Sequence, residues 1–201
     1  PESMVHVWFV ELLRKFNLSF RIINNEDISE VNNQEPKENP FLDDQLFITN
    51  LDSLSQNTAA REKAVKAGWD VLIVDEVHRI RTRTNAFQLV ADIAQNSKNV
   101  FFLSATPEQN GIYDHFSRLQ LLDPNRYPDY KRFLKEMDEY KKIADITGRI
   151  LSNMSLSDSD KEHLKDQFKN IDDIINDYLS ENYPKNSNTH KRLVLNLIDR
   201  Y

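Results

Sequence analysis

Two short apolar runs constrain this chain more than any other feature. Val71–Val74 reads VLIV, and residues 99–104 read NVFFLS. Each is too short for a buried helix, and unbroken apolar character is the pattern of a strand covered on both faces, as parallel sheets require. Between them AFQLVADIAQ (86–95) repeats with helical period, so strand, helix and strand alternate as in a parallel α/β sheet. Both runs also end in chemistry. VLIV passes directly into Asp75, Glu76 and His78, and NVFFLS ends at Ser104, Ala105 and Thr106.

The flanking sequence extends the alternation. Phe9, Leu12, Leu13 and Phe16 lie at i, i+3, i+4 and i+7, one face of an amphipathic helix. SFRII (19–23) and QLFITN (45–50) read as strands. The polar, proline-bearing stretch 24–44 between them reads as a surface loop. TAAREKAVKA (58–67) reads as a helix closed by Gly68. After Asp123-Pro124 only helical periodicity remains. It appears first in Phe133, Met137, Tyr140 and Ala144. It returns in Leu164, Phe168, Ile171, Ile175 and Tyr178 behind a Ser157-x-x-Asp160 capping box, and a further helix is expected over 190–201. The division is therefore an α/β part over 1–124 and a helical extension over 125–201.

Composition narrows the function classes. With 201 residues, 39% hydrophobic and 29% charged, the chain can bury one good-sized core. It has no cysteine, which excludes disulfide frameworks and Cys-based zinc sites. No apolar run approaches the roughly 20 residues of a membrane span, so a soluble, cytoplasmic protein without membrane partners is expected. A net charge of −6 makes a broad nucleic-acid surface improbable and leaves local basic stripes as candidates. The best of these is Arg79, Arg81 and Arg83, although charge runs are usually solvated faces. Only three glycines occur, far apart, so no Gly-rich phosphate loop can be built from this sequence.

The strand exits carry the remaining signal. Ligands of parallel α/β sheets bind beyond the carboxyl ends of the strands. An Asp there can hold a hydrated Mg²⁺, and a following Glu can orient and deprotonate a water. Small hydroxyl residues such as Ser104 and Thr106 can sense a neighbouring carboxylate or histidine. Each feature alone also fits an ordinary strand-to-turn exit. A D-E-x-H strand followed about 25 residues later by a strand ending S-A-T is a much more specific pattern.

Asp75-Glu76-Val77-His78 and Ser104-Ala105-Thr106 resemble motifs II and III of the superfamily 2 helicase-like ATPases. His78-Arg79-Ile80-Arg81 and Thr106-Pro107-Glu108-Gln109-Asn110 resemble runs of the Swi/Snf branch of that superfamily. PESMVHVW at the start is similar to its motif Ia and FITN (47–50) to motif Ib, and HFSRLQLLDPNRYPDY is similar to a stretch of bacterial members. The similarity runs from Pro1 to about Ala144. It implies a partial RecA-like lobe, a mostly parallel sheet flanked by helices, with a C-terminal helical extension.

For the site, the resemblance implies ATP and Mg²⁺ as cofactors. Asp75 would hold Mg²⁺ through water and Glu76 would activate the attacking water. His78 would couple the nucleotide to Ser104, Thr106 and Gln109, which face a second RecA-like lobe. Thr49, Asn50, Arg79 and Arg81 would line the path of double-stranded DNA. The implied function is an ATP-dependent DNA translocase or remodeller, moving on duplex DNA to displace or recycle a bound protein such as RNA polymerase in the bacterial cytoplasm. The family's phosphate-binding loop precedes motif Ia and has no counterpart here, so the chain alone is expected to be inactive. Three alternatives stay open: a strand-separating helicase of the same superfamily, a non-catalytic protein-interaction module, and a metal hydrolase using Asp75, Glu76 and His78.

Overall fold

The computed structural model describes residues 2–30, 39–152 and 154–167. Two compact units divide the chain, Pro1–Pro128 and Asp129–Tyr201. The first is an alternation of helices and short parallel strands, the partial RecA-like α/β lobe that the sequence implied; the second is helical in its described part.

Helix α1 (Glu2–Phe16) leads into β1 (Arg21–Ile23), and α2 (Asn25–Glu30) follows. A 3₁₀ turn at Pro40–Leu42 precedes β2 (Phe47–Thr49), α3 (Leu51–Gln56) and α4 (Thr58–Lys66). Next come β3 (Val71–Val74), a 3₁₀ turn at Val77–Arg79, α5 (Asn85–Asn96), β4 (Asn99–Phe102) and α6 (Ile112–Leu122). The second unit holds α7 (Tyr130–Leu151) and α8 (Asp158–Gln167).

The strands pair in parallel, β1 with β2 and β3 with β4. Ile23 stands opposite Thr49, and Val74 opposite Phe102. Two apolar clusters hold the lobe together. Ile23, Ile28, Phe41, Leu54, Ala64 and Leu89 form one beneath β1, β2 and α3–α5, with Trp69 meeting both Phe41 and Phe47 edge to face. Val74, Val77, Ile80 and Val90 form the other, seating the exit of β3 on α5. Gly68, with φ +74, ends α4 in the left-handed conformation that favours glycine.

Four expectations are corrected. β3 is covered on one face only, since Leu72 and Val74 pack inward while Ile73 remains 57% exposed and Val71 and Phe101 are about half exposed. The buried stripe of α1 lies one turn earlier than the expected one and shares Phe9 and Leu12 with it. Val5, Trp8, Phe9 and Leu12 turn inward and Phe16 is 67% exposed. Both stripes satisfy the i, i+3, i+4, i+7 rule, and packing rather than period chose between them. The stretch 24–44 is not wholly a surface loop, because α2 and the 3₁₀ turn sink Ile28 and Phe41 into the first cluster. In α7 the buried positions are Phe133, Ile143, Ile146, Thr147 and Ile150, whereas Tyr140 and Ala144 are exposed.

The capping box does form. Ser157 N donates to Asp160 Oδ2 at 2.8 Å and Asp160 N to Ser157 Oγ at 3.1 Å. Leu164 behind it is fully buried. Residues 168–201, with the expected stripe from Phe168 to Tyr178 and the last helix, lie outside the described residues.

Candidate active site

Because β3 and β4 run in parallel and in register, their carboxyl ends open side by side. Leu103 N donates to Val74 O at 2.9 Å and Val77 N to Leu103 O at 3.0 Å, so the two exits stay joined beyond the strands. The chain then turns sharply at Glu76, whose φ of 51° is left-handed. Such a conformation is uncommon for a residue with a side chain and costs on the order of 1 kcal/mol or more. It turns the backbone so that Asp75, Glu76 and His78 are grouped around one corner.

Both oxygens of Asp75 are held. Oδ1 accepts the Glu76 amide at 2.8 Å, and Oδ2 accepts the indole Nε1–H of Trp8 at 2.8 Å. Trp8 reaches it from α1, within the stretch similar to motif Ia. Both donors are neutral N–H groups, so neither occupies the place of a cation beside the carboxylate. Asp75 belongs to no cluster of three or more potential metal ligands, and none occurs among the described residues. A Mg²⁺ held by one protein carboxylate, water and phosphate oxygens needs no such cluster.

Glu76 and His78 meet across the turn, with Nδ1 of His78 3.0 Å from Glu76 Oε2 and 3.1 Å from Ser104 Oγ. Oε2 is buried and accepts no well-aligned hydrogen bond among the described residues. The imidazole tautomer decides what this contact is. With a proton on Nδ1, the ring donates toward Glu76 and Ser104. With the proton on Nε2, Nδ1 accepts from the Ser104 hydroxyl and leaves Oε2 bare. Ser104 Oγ also accepts the Thr106 amide at 3.2 Å, and Thr106 Oγ1 donates to Gln109 Oε1 at 3.0 Å. Thr106 and Gln109 are exposed. A continuous polar line thus runs from Glu76 to the surface loop after β4.

The exit of β2 contributes differently. Thr49 Oγ1 donates at 3.0 Å to Ile23 O, so its proton is committed to the β1–β2 pair. Asn50 Oδ1 caps α3, accepting from Asp52 N at 2.8 Å and Ser53 N at 3.2 Å. Asn50 nonetheless lines a cleft of about 400 Å³ together with Asp75, Glu76, Arg79 and Arg81. Arg79, Arg81 and Arg83 are exposed, and none of the three pairs with a carboxylate among the described residues.

Sequence reasoning missed four residues here: Trp8, Asn110, Asp114 and Arg118. Asn110 Nδ2 donates to His78 O, and Thr82 donates from both its amide and its hydroxyl to Asp114 Oδ1. Arg118 donates to Ile80 O and Pro107 O. The available signal for Arg118 was a charged residue flanked by the apolar Ile112, Phe116, Leu119 and Leu122 of α6.

No helix among the described residues is long and apolar enough to cross a membrane. The SNF2-related domain model matches residues 1–193. The RNA polymerase-associated protein RapA of Cronobacter sakazakii (strain ATCC BAA-894) is 40% identical over 162 residues, which cover 79% of this chain and 16% of that protein. The matched region takes in both strand exits and their motifs, in agreement with the Swi/Snf resemblance. The chain belongs to the SNF2-related domain family.

Proposed function

We propose that this chain supplies the metal-binding and water-activating part of an ATP-hydrolysing site in a DNA-dependent translocase. The observation that carries the reading is the position of His78 Nδ1, within about 3 Å of both Glu76 Oε2 and Ser104 Oγ. A carboxylate that must take a proton from water is most useful when a second group can hold or release it, and His78 is placed to do so.

The site fits Mg·ATP in chemical terms. A buried Glu76 oxygen without a well-aligned donor, beside a half-buried aspartate held only by neutral donors, suits a water and a hydrated cation. When bound, Mg·ATP supplies the electrophilic phosphorus and the cation that neutralises charge on the phosphate oxygens. Asp75 holds the cation through water, oriented by Trp8 and the Glu76 amide. Glu76 positions the attacking water and accepts its proton. His78 restrains Glu76 in one tautomer and frees it in the other, and Ser104 follows that change. Thr106 and Gln109, exposed at the end of the polar line, present it to a second RecA-like lobe.

Arg79 and Arg81, with the amide of Asn50, are assigned to backbone phosphates of duplex DNA, which position a protein without reading sequence. Thr49 supports them by holding the exit of β2. The relative's name links it to RNA polymerase. We extend this to the present chain as displacement or recycling of a bound polymerase by movement on DNA in the bacterial cytoplasm.

The test is ATP hydrolysis by the full-length protein with and without duplex DNA. Wild type is expected to be stimulated by DNA. Glu76→Gln should lower kcat by about a thousandfold, within the range for losing a general base, while ATP binding persists. Turnover indifferent to both DNA and Glu76 would overturn the reading.

A further inference from the structure

Residues 78–83 form a strap with a two-residue alternation. His78, Ile80 and Thr82 are anchored inward, whereas the side chains of Arg79, Arg81 and Arg83 are exposed. Every inward anchor is held by the segment that follows β4. The His78 carbonyl takes the amide of Asn110. The Ile80 carbonyl takes the Arg118 guanidinium at 3.1 Å, and Thr82 donates to Asp114 at 3.2 Å from its backbone amide. Asp114 and Arg118 lie one turn apart on α6, so a single rigid face carries two of the three anchors.

Arg118 differs from the other anchors. It is only 4% exposed, and its guanidinium forks between two loops, donating to Ile80 O from one nitrogen and to Pro107 O from the other. A buried cation is costly unless fully hydrogen-bonded. Here the compensation comes from main-chain carbonyls of the two segments that carry His78 and Ser104. Burial lowers the Arg118 pKa from its usual value, opposed by the nearby Asp114 carboxylate. A lysine could not reproduce the fork, because its single ammonium lacks the planar pair of donors.

We propose that Arg118 is a positioning residue that joins the arginine strap to the Ser104–Pro107 loop, so that phosphate contact at the strap is felt at the His78–Ser104 contact. This rests on the proposed function, whose nucleotide and DNA sites it connects. Without the fork, the strap still presents its arginines, but the loop after β4 is released from it.

The experiment uses the full-length protein as wild type, Arg118→Met, Arg118→Lys and Asp114→Ala. Hydrogen exchange is followed with and without duplex DNA, alongside ATP turnover. In wild type, duplex is expected to protect both 77–83 and 103–110. In Arg118→Met, 77–83 keeps its protection and 103–110 loses it. The ratio of DNA-stimulated to unstimulated turnover should fall by about tenfold, a usual size for coupling between sites, with KM for ATP unchanged. Arg118→Lys recovers part of the ratio, and Asp114→Ala lowers it less.

The ratio is independent of the active fraction, so a merely destabilised protein would leave it intact. Should Arg118→Met fail to fold, Arg118→Lys and Asp114→Ala decide, and wild-type ratios in both overturn the brace. Duplex protection confined to 77–83 in wild type overturns it too, even where ATP turnover stands. Wild type without turnover overturns the proposed function, while the exchange data still judge the brace. A wild type that binds no duplex overturns both.

Discussion

The exits of β2 and of the β3–β4 pair look alike in sequence, each an apolar strand running into short polar residues, yet they use those residues in opposite ways. At β2, Thr49 bonds to Ile23 on the paired strand and Asn50 caps the helix that begins one residue later. At β3–β4, the polar groups reach across the fold. Asp75 meets Trp8 from α1, 67 residues away in sequence, and His78 meets Ser104 side chain to side chain, whereas Thr49 and Asn50 bond only to main chain. Polarity at a strand exit therefore says little about function. What distinguishes the second exit is that its polar groups converge from different elements, leaving one buried carboxylate oxygen poorly satisfied.

That contrast can be broken most severely at Ser104. Ser104→Ala removes the far partner of His78 and the acceptor of the Thr106 amide. DNA-stimulated turnover should drop by about tenfold with ATP binding retained. An unchanged rate would reduce the His78–Ser104 contact to packing.

Trp8→Phe comes next. It keeps the ring within α1 but withdraws the donor from Asp75 Oδ2. Residues that orient a metal-binding group typically matter by about tenfold or more in metal affinity, so the Mg²⁺ concentration at half-maximal turnover should rise by about that factor. A magnesium titration showing no shift would leave Trp8 a packing residue of α1.

The smallest effect is expected at β2. Asn50→Ala should cost about 1 kcal/mol through the lost cap, measured as a lower urea midpoint. Asn50→Ser retains a cap acceptor and removes the amide donor. A near-wild-type midpoint with weakened duplex binding, from the loss of one hydrogen bond to a phosphate oxygen, would sharpen the contrast by giving Asn50 a second role. Unchanged binding would make Asn50 a cap only.

Much of the lobe was legible in the sequence. The strands β1–β4, the helix between β3 and β4, the glycine closing α4 and the Ser157–Asp160 box all follow from local propensity, period and capping. That Glu76, His78 and Ser104 come together was legible from two parallel strands whose exits end in D-E-x-H and S-A-T. What failed was any statement requiring knowledge of a neighbour. The turns of α1 that are buried, the stripe buried in α7 and the open face of β3 each depend on what packs there. Helical and strand periods admit more than one answer.

The sequence by itself determined the alternation of strands and helices, the polar residue types at two strand exits and the family, because these depend on residues close together in the chain or on motifs read in order. Only the tertiary structure decided that Trp8 holds Asp75 and that Arg118 ties Ile80 to Pro107. It also decided that the arginines of the strap alternate outward from anchored positions. Those outcomes rest on hydrogen bonds between elements distant in sequence, which form only when packing excludes water and leaves each buried polar group to find a partner within the fold.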